Sequence, residues 1–302
     1  MTNASNFDER SLISKIPKSI NEKPDILVLG SSRINSIKSE YFNKKLINTS
    51  VSSAVLYDLI INYQFFKKNN KLPKEKIIIG IDPWLFNEKN PESRWMRYES
   101  IYKDFLDGKK RNNYNINEIP ISYYFQLISF SYFQNSLKRF MKNNIDLLPT
   151  NLKYNKEYAT ILGVFSRSPS IREIEYPLHQ INKNVSNYFI DHGIRINNFN
   201  EISNELVNLF EKLIIDMKKQ NLDIELLIIP YHPEIYETIN SDFPKIIETE
   251  EILHNLVKKY DISIYGSFDP KEISFDKMDF QDGLHCTEMG LKKLVISALS
   301  KD

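Results

Sequence analysis

The sequence predicts an α/β protein, a flavodoxin-like three-layer sandwich around a mostly parallel sheet. Apolar runs within 25–29 and 76–82 read as strands covered on both faces, because a half-exposed strand would alternate, and 223–230 reads as a further strand. Segments of helical spacing separate them, which gives the strand–helix alternation of a parallel sheet. The runs also close in glycine, proline or clusters of small residues, the punctuation of loops at a sheet's rim.

The elements follow in order. Residues 1–24 form a polar lead-in in which Pro17 and Pro24 break any long helix. The first strand, 25–29, stops at Gly30-Ser-Ser-Arg33. Leu46 and Ile47 open a run of small residues at 48–54. A helix over 55–68 carries Val55, Leu59, Tyr63 and Phe66 at three- and four-residue spacing. The strand at 76–82 leads into Pro83-Trp-Leu-Phe-Asn87. From 88 to 200 the chain is rich in Tyr, Phe, Asn and Lys and shows no alternation. It reads as a largely helical insertion within a single domain spanning 1–302, with one helix over 123–141. Alternation returns with a helix at 201–219, whose stripe is Leu206, Leu209, Phe210, Leu213, Ile214 and Met217. A strand at 223–230, a loop at 231–235, a helix at 245–259 and a strand at 261–265 follow. Thr287 is the expected N-cap of a last helix through 299.

Composition excludes several function classes. The chain has 302 residues with 40 Lys+Arg against 39 Asp+Glu, so it lacks the basic surplus of a general nucleic-acid binder. A single cysteine permits neither an intrachain disulfide nor a cysteine-built zinc site. The five histidines lack metal-ligand spacing and no glycine-rich phosphate loop occurs, so no cofactor or metal is expected. No run approaches the roughly 18 apolar residues of a membrane span, and the first 24 residues carry no signal-peptide core. As written the chain reads as soluble. Both a cytoplasmic form and a native form carrying an N-terminal anchor, outside the cytoplasm, fit that reading.

The chemistry gathers at loops expected to share one edge of the sheet. Ser31 and Ser32 follow the first strand, small residues the second, and Gly80-Ile-Asp82 the third. Asp282-Gly-Leu-His285 precedes the last helix. An aspartate three residues before a histidine can fix its tautomer, and that pair is what a serine nucleophile needs as orienter and base. A surface turn is the simpler role for Asp-x-x-His alone, and N-capping for Gly-Ser-Ser alone.

Together these residues resemble the four blocks of the SGNH/GDSL hydrolase superfamily. Gly30-Ser31-Ser32 is similar to the first, with Ser32 at the nucleophile position and Ser31 where many members have aspartate. The 48–54 run resembles the second, with Ser53 in place of an oxyanion-hole glycine. Gly80-Ile-Asp82 resembles the third, with Asp82 in place of asparagine. Asp282-Gly-Leu-His285, with Thr287 and Gly290, matches the fourth. The Gly-Ser-Ser-Arg turn, Asp82–Asn87, Pro230–Pro233 and 266–270 resemble a DltD-like subgroup found with bacterial cell-envelope polymers, often behind a membrane anchor.

The resemblance implies an SGNH-hydrolase fold, a catalytic set of Ser32, His285 and Asp282, and an oxyanion hole from Ser32, Ser53 and Asp82. It implies an O-acylated carbohydrate or envelope polymer as substrate, either hydrolysed or used for acyl transfer. An ionised Asp82 only accepts hydrogen bonds and would repel an oxyanion. It is therefore protonated, or it positions Arg33 or another group while Asn87 donates, or the site is degraded. In the last case the chain is a non-catalytic binder of a glycan or partner. Arg33, Asn87 and His232 are the substrate-contact candidates, with Arg94 a further partner for an anionic group. Cys286 beside His285 makes a poor dyad, since sequence neighbours point apart.

Overall fold

The computed structural model describes residues 9–108 and 199–299. Five parallel strands form one sheet in the order β2-β1-β3-β4-β5: β1 Ile26–Leu29, β2 Leu46–Asn48, β3 Lys76–Ile81, β4 Asp223–Ile228 and β5 Ser263–Gly266. This is the order of flavodoxin-like doubly wound sheets, with the switch point between β1 and β3. Leu29 pairs with Ile79, and Ile81 with Ile228, so the carboxyl ends of the central strands lie side by side.

Helices cover both faces. Side chains at alternate positions, including Leu27, Leu29, Ile77, Ile79, Leu226 and Ile228, pack with one buried cluster. That cluster includes residues of α3 (Leu56–Lys68), α5 (Asn204–Lys218) and α7 (Pro244–Tyr260). The opposite pleat positions Ile26, Val28, Ile78 and Leu227 pack with Leu291, Leu294 and Val295 of α8 (Glu288–Leu299) and with Ile34. The Leu206–Met217 stripe of α5 is buried throughout, as its spacing predicts. Thr287 caps α8, its hydroxyl accepting from the Gly290 amide at 3.0 Å.

The structure departs from the sequence reading at two places. The lead-in is docked: α1 (Glu9–Ile13) and α2 (Ile16–Ser19) bury Ile13 and Ile16 in the core, and Arg10 is buried too. The loop read at 231–235 opens α6 (Pro233–Asp242), with Pro233 at its first position, where the missing N–H costs nothing. In the 88–200 region the described part contains a 3₁₀ turn at Arg94–Tyr98 and α4 (Glu99–Asp107). The rest of that segment, with the helix expected at 123–141, lies outside the described residues. Among the described residues no helix is long and apolar enough to cross a membrane.

Candidate active site

The turn after β1 is shaped by two glycines. A Cβ on Gly30 would stand 2.5 Å from Ile34 Cδ1, and a Cβ on Gly80 would meet the same atom at 2.5 Å. Ile34 thus fills the space that both glycines leave over adjacent strands. The chain can therefore fold back as a 3₁₀ turn, Ser32–Ile34, directly on the sheet's rim. Ser31 caps that turn, its hydroxyl accepting from the Arg33 amide at 3.2 Å.

Ser32, His285 and Asp282 meet in a hydrogen-bonded line. Ser32 Oγ is 2.9 Å from His285 Nε2, and His285 Nδ1 is 2.9 and 3.0 Å from the two Asp282 oxygens. The half-buried Asp282 also accepts from the backbone amides of Leu284 (2.8 Å) and His285 (2.7 Å), which fixes the short loop between them. Burial pushes the Asp282 carboxyl up, but the imidazole and those two amides outweigh it and hold it at about 2. The carboxylate is therefore ionised at neutral pH, favours the tautomer with its proton on Nδ1, and leaves Nε2 free to accept from Ser32.

Opposite lies the 48–54 loop, zipped to β1 and its turn. The Thr49 amide and hydroxyl both donate to the Val28 carbonyl, at 2.9 and 2.8 Å, and the Val51 amide donates to Gly30 at 3.0 Å. Asn48 Nδ2 donates to Ile34 O at 2.8 Å, tying this loop to the Ser32–Ile34 turn. Ser53 takes the left-handed conformation, φ 61°, at the position where a glycine would adopt it without strain. Its amide has no acceptor among the described residues, while those of Ser52 and Ala54 on either side are bonded.

The other expected site residues fall elsewhere. Asp82 is no oxyanion donor: it is 1% exposed and its Oδ1 accepts from Arg33 Nη1 at 3.0 Å. Burial pushes this carboxyl up, while Arg33 and the Ser31 hydroxyl favour its ionised form, in which it answers the buried guanidinium. Arg33 is no substrate contact, since it is 3% exposed and bonded on three sides. His232 is likewise withdrawn, at 0% exposure; its Nδ1 caps α6 by accepting from the Glu234 amide at 3.3 Å. Its backbone amide donates to Gly283 O at 3.2 Å, so it supports the histidine loop rather than a ligand. Asn87 is buried and closes the turn after β3, its Oδ1 accepting from the Lys89 amide at 3.0 Å.

Arg94 is partly exposed but paired with Glu92, and it donates to the Ser52 carbonyl at 2.8 Å. Cys286 is buried, and burial drives its thiol up to about 12, which makes it inert beside His285. Glu9 is the residue that sequence reading missed. Its carboxylate accepts from both the amide and the hydroxyl of Ser52, next to Ser53. Nothing in a polar lead-in marks such a residue. No group of three or more metal-ligating side chains occurs among the described residues.

No family model matches the chain, and no curated protein matches it. A solved structure from Streptococcus pneumonia, provisionally described as a platelet activating factor, aligns with 97% of this chain and 90% of its own. The two are 13% identical with a TM-score of 0.46.

Proposed function

We propose that this chain is a serine-dependent acyl-ester hydrolase or acyltransferase, acting on O-acyl groups of a carbohydrate or bacterial cell-envelope polymer. The observation that carries the reaction class is the line Ser32 Oγ–His285 Nε2–Asp282, with a hydrogen bond at each step. The substrate class rests on the resemblance of the four sequence blocks and of the Gly-Ser-Ser-Arg turn to the DltD-like SGNH proteins.

In this reading His285 takes the Ser32 proton as Oγ attacks the ester carbonyl. The backbone amides of Ser32 and Ser53 are the donors for the oxyanion. Collapse expels the alcohol, which takes its proton back from His285, and leaves an acyl-serine. Water then gives hydrolysis, and an acceptor hydroxyl gives transfer. Asp282 stays ionised throughout and steadies the imidazolium.

One observation favours the rival reading, a non-catalytic glycan or partner binder. Asp82, tied to Arg33, supplies no side-chain donor to the oxyanion, and losing such a donor elsewhere costs about 3–4 kcal/mol. A fluorophosphonate probe separates the two. Labelling of the native chain that disappears in Ser32→Ala, together with loss of acetyl-ester turnover, is expected of the enzyme. An unlabelled native chain at every pH tested would leave the binder.

A further inference from the structure

Arg33 connects two residues that the chemistry needs side by side. It follows Ser32 directly in the 3₁₀ turn, and its Nε donates to the carbonyl of Leu284, the residue before His285, at 3.0 Å. The dipeptides Ser32-Arg33 and Leu284-His285 are therefore tied twice, by Ser32 Oγ to His285 Nε2 and by Arg33 Nε to Leu284 O. The first tie is the one proton transfer consumes. The second takes no part in the reaction and outlasts it.

The rest of the guanidinium is fixed as firmly. Nη2 donates to the carbonyls of Ile229 (2.8 Å) and Pro230 (2.7 Å), just past β4, and Nη1 to Asp82 just past β3. The plane lies 4.4 Å from the centroid of the Tyr231 ring. A planar fork can serve four acceptors at once, which a lysine cannot. Its charge is buried, so it needs a buried counter-ion: asparagine at position 82 would leave that charge unpaired, and aspartate does not.

We infer that Arg33, held by Asp82, is a positioning residue that sets the Ser32–His285 geometry of the proposed enzyme. This rests on the serine-enzyme reading. It also gives aspartate at position 82 a purpose that is neither oxyanion binding nor decay of the site.

The test compares the native chain with R33K, R33M and the double variant R33M/D82L, following fluorophosphonate labelling, p-nitrophenyl acetate turnover and thermal unfolding. R33M alone strands Asp82 and is expected to unfold most easily. The double variant removes both charges and is expected to unfold cooperatively while labelling about 100-fold more slowly, the cost of a misplacement of about 1 Å. Its kcat should fall by a similar factor with KM unchanged. R33K keeps the charge opposite Asp82 but loses the fork, and is expected to stay folded and slow. If a folded double variant labels at the native rate, the pair is only structural and the inference fails. Should the double variant not fold, native-rate labelling of R33K overturns it equally. An unlabelled native chain overturns the serine-enzyme reading, and this inference with it.

Discussion

The two halves of the site are held together by different means. On the nucleophile side, Ser32, Arg33, Asp282 and His285 come from two four-residue stretches, and their contacts are direct side-chain hydrogen bonds. On the opposite side, the 48–54 loop is gripped by several elements that carry none of those four residues. Glu9 bonds Ser52, Arg94 donates to the Ser52 carbonyl, Trp84 Nε1 donates to Ala54 O at 3.0 Å, and Asn62 donates to Thr49 O at 2.9 Å. The buried arginine–aspartate pairs divide the same way. Arg33–Asp82 lies beneath the nucleophile turn, whereas Arg10–Asp58 is a bidentate pair at 2.7 and 2.8 Å joining α1 to the first turn of α3. The Ser32 turn is thus tied directly to the Asp282–His285 loop, and the 48–54 loop is held by whatever packs around it.

The sharpest way to break that contrast is at Asp282. Asp282→Asn retains an oxygen for the Leu284 and His285 amides but no longer favours the reactive tautomer. Labelling at Ser32 is expected to slow on the order of 10⁴-fold with the fold retained. The same carboxyl gives a pH signature. Its folded pKa of about 2 lies below the ordinary 3.8. A depressed carboxylate stabilises fully above the ordinary value and loses that contribution as pH falls through the folded one. Urea denaturation should therefore show native and Asp282→Asn stabilities separated by a constant gap above about pH 5, closing between about pH 4 and pH 2. A gap that does not change with pH would mean the imidazole and amide bonds to Asp282 do not survive in solution.

That division also explains what the sequence could disclose. Apolar runs revealed the strands, helical spacing revealed α3 and α5, and the Thr287 cap marked the start of α8, because burial and capping each leave a local mark in the sequence. Ser32, Asp282 and His285 were legible since each lies within a short motif whose spacing has a chemical reason. Arg33 was visible as a possible partner of Asp82 but not as a tie to the histidine loop: its acceptors Ile229, Pro230 and Leu284 are backbone carbonyls about 200 residues or more away, and a carbonyl leaves no mark in a sequence. His232 misled for a similar reason, because a histidine at a strand end looks available until the helix it caps is known. The docking of α1 was hidden in polar composition, since beside the single buried Ile13 its grip is one arginine and one glutamate rather than a hydrophobic stripe.

Arg10 tests whether the N-terminal pair concerns stability rather than rate. Arg10 and Asp58 are 3% and 2% exposed, and Asp58 Oδ2 also accepts from the Val55 amide at the start of α3. Arg10→Met leaves a buried carboxylate unpaired and is expected to cost about 3–5 kcal/mol. Replacing Asp58 by Leu as well should recover most of that, short of about 1 kcal/mol for the lost cap. Measured where all forms are folded, labelling at Ser32 should stay near the native rate in both. A rate loss to match that of the Arg33 and Asp82 double variant would erase the distinction between the two pairs.

The smallest effect is expected at Glu9, which holds the 48–54 loop from α1. Its carboxylate receives the Ser52 amide and hydroxyl, one residue before the left-handed Ser53 whose amide faces no other acceptor among the described residues. Glu9→Gln keeps an oxygen for one of those donors and removes the charge. Chemical denaturation should show a loss of about 0.5–1.5 kcal/mol. Labelling should slow several-fold rather than by orders of magnitude, because the Thr49, Val51 and Asn48 bonds still hold the loop along the nucleophile turn. If Glu9→Gln instead abolishes labelling with stability intact, the docked N-terminal segment sets the oxyanion side outright. Local contacts would then be too weak to place the Ser53 amide by themselves.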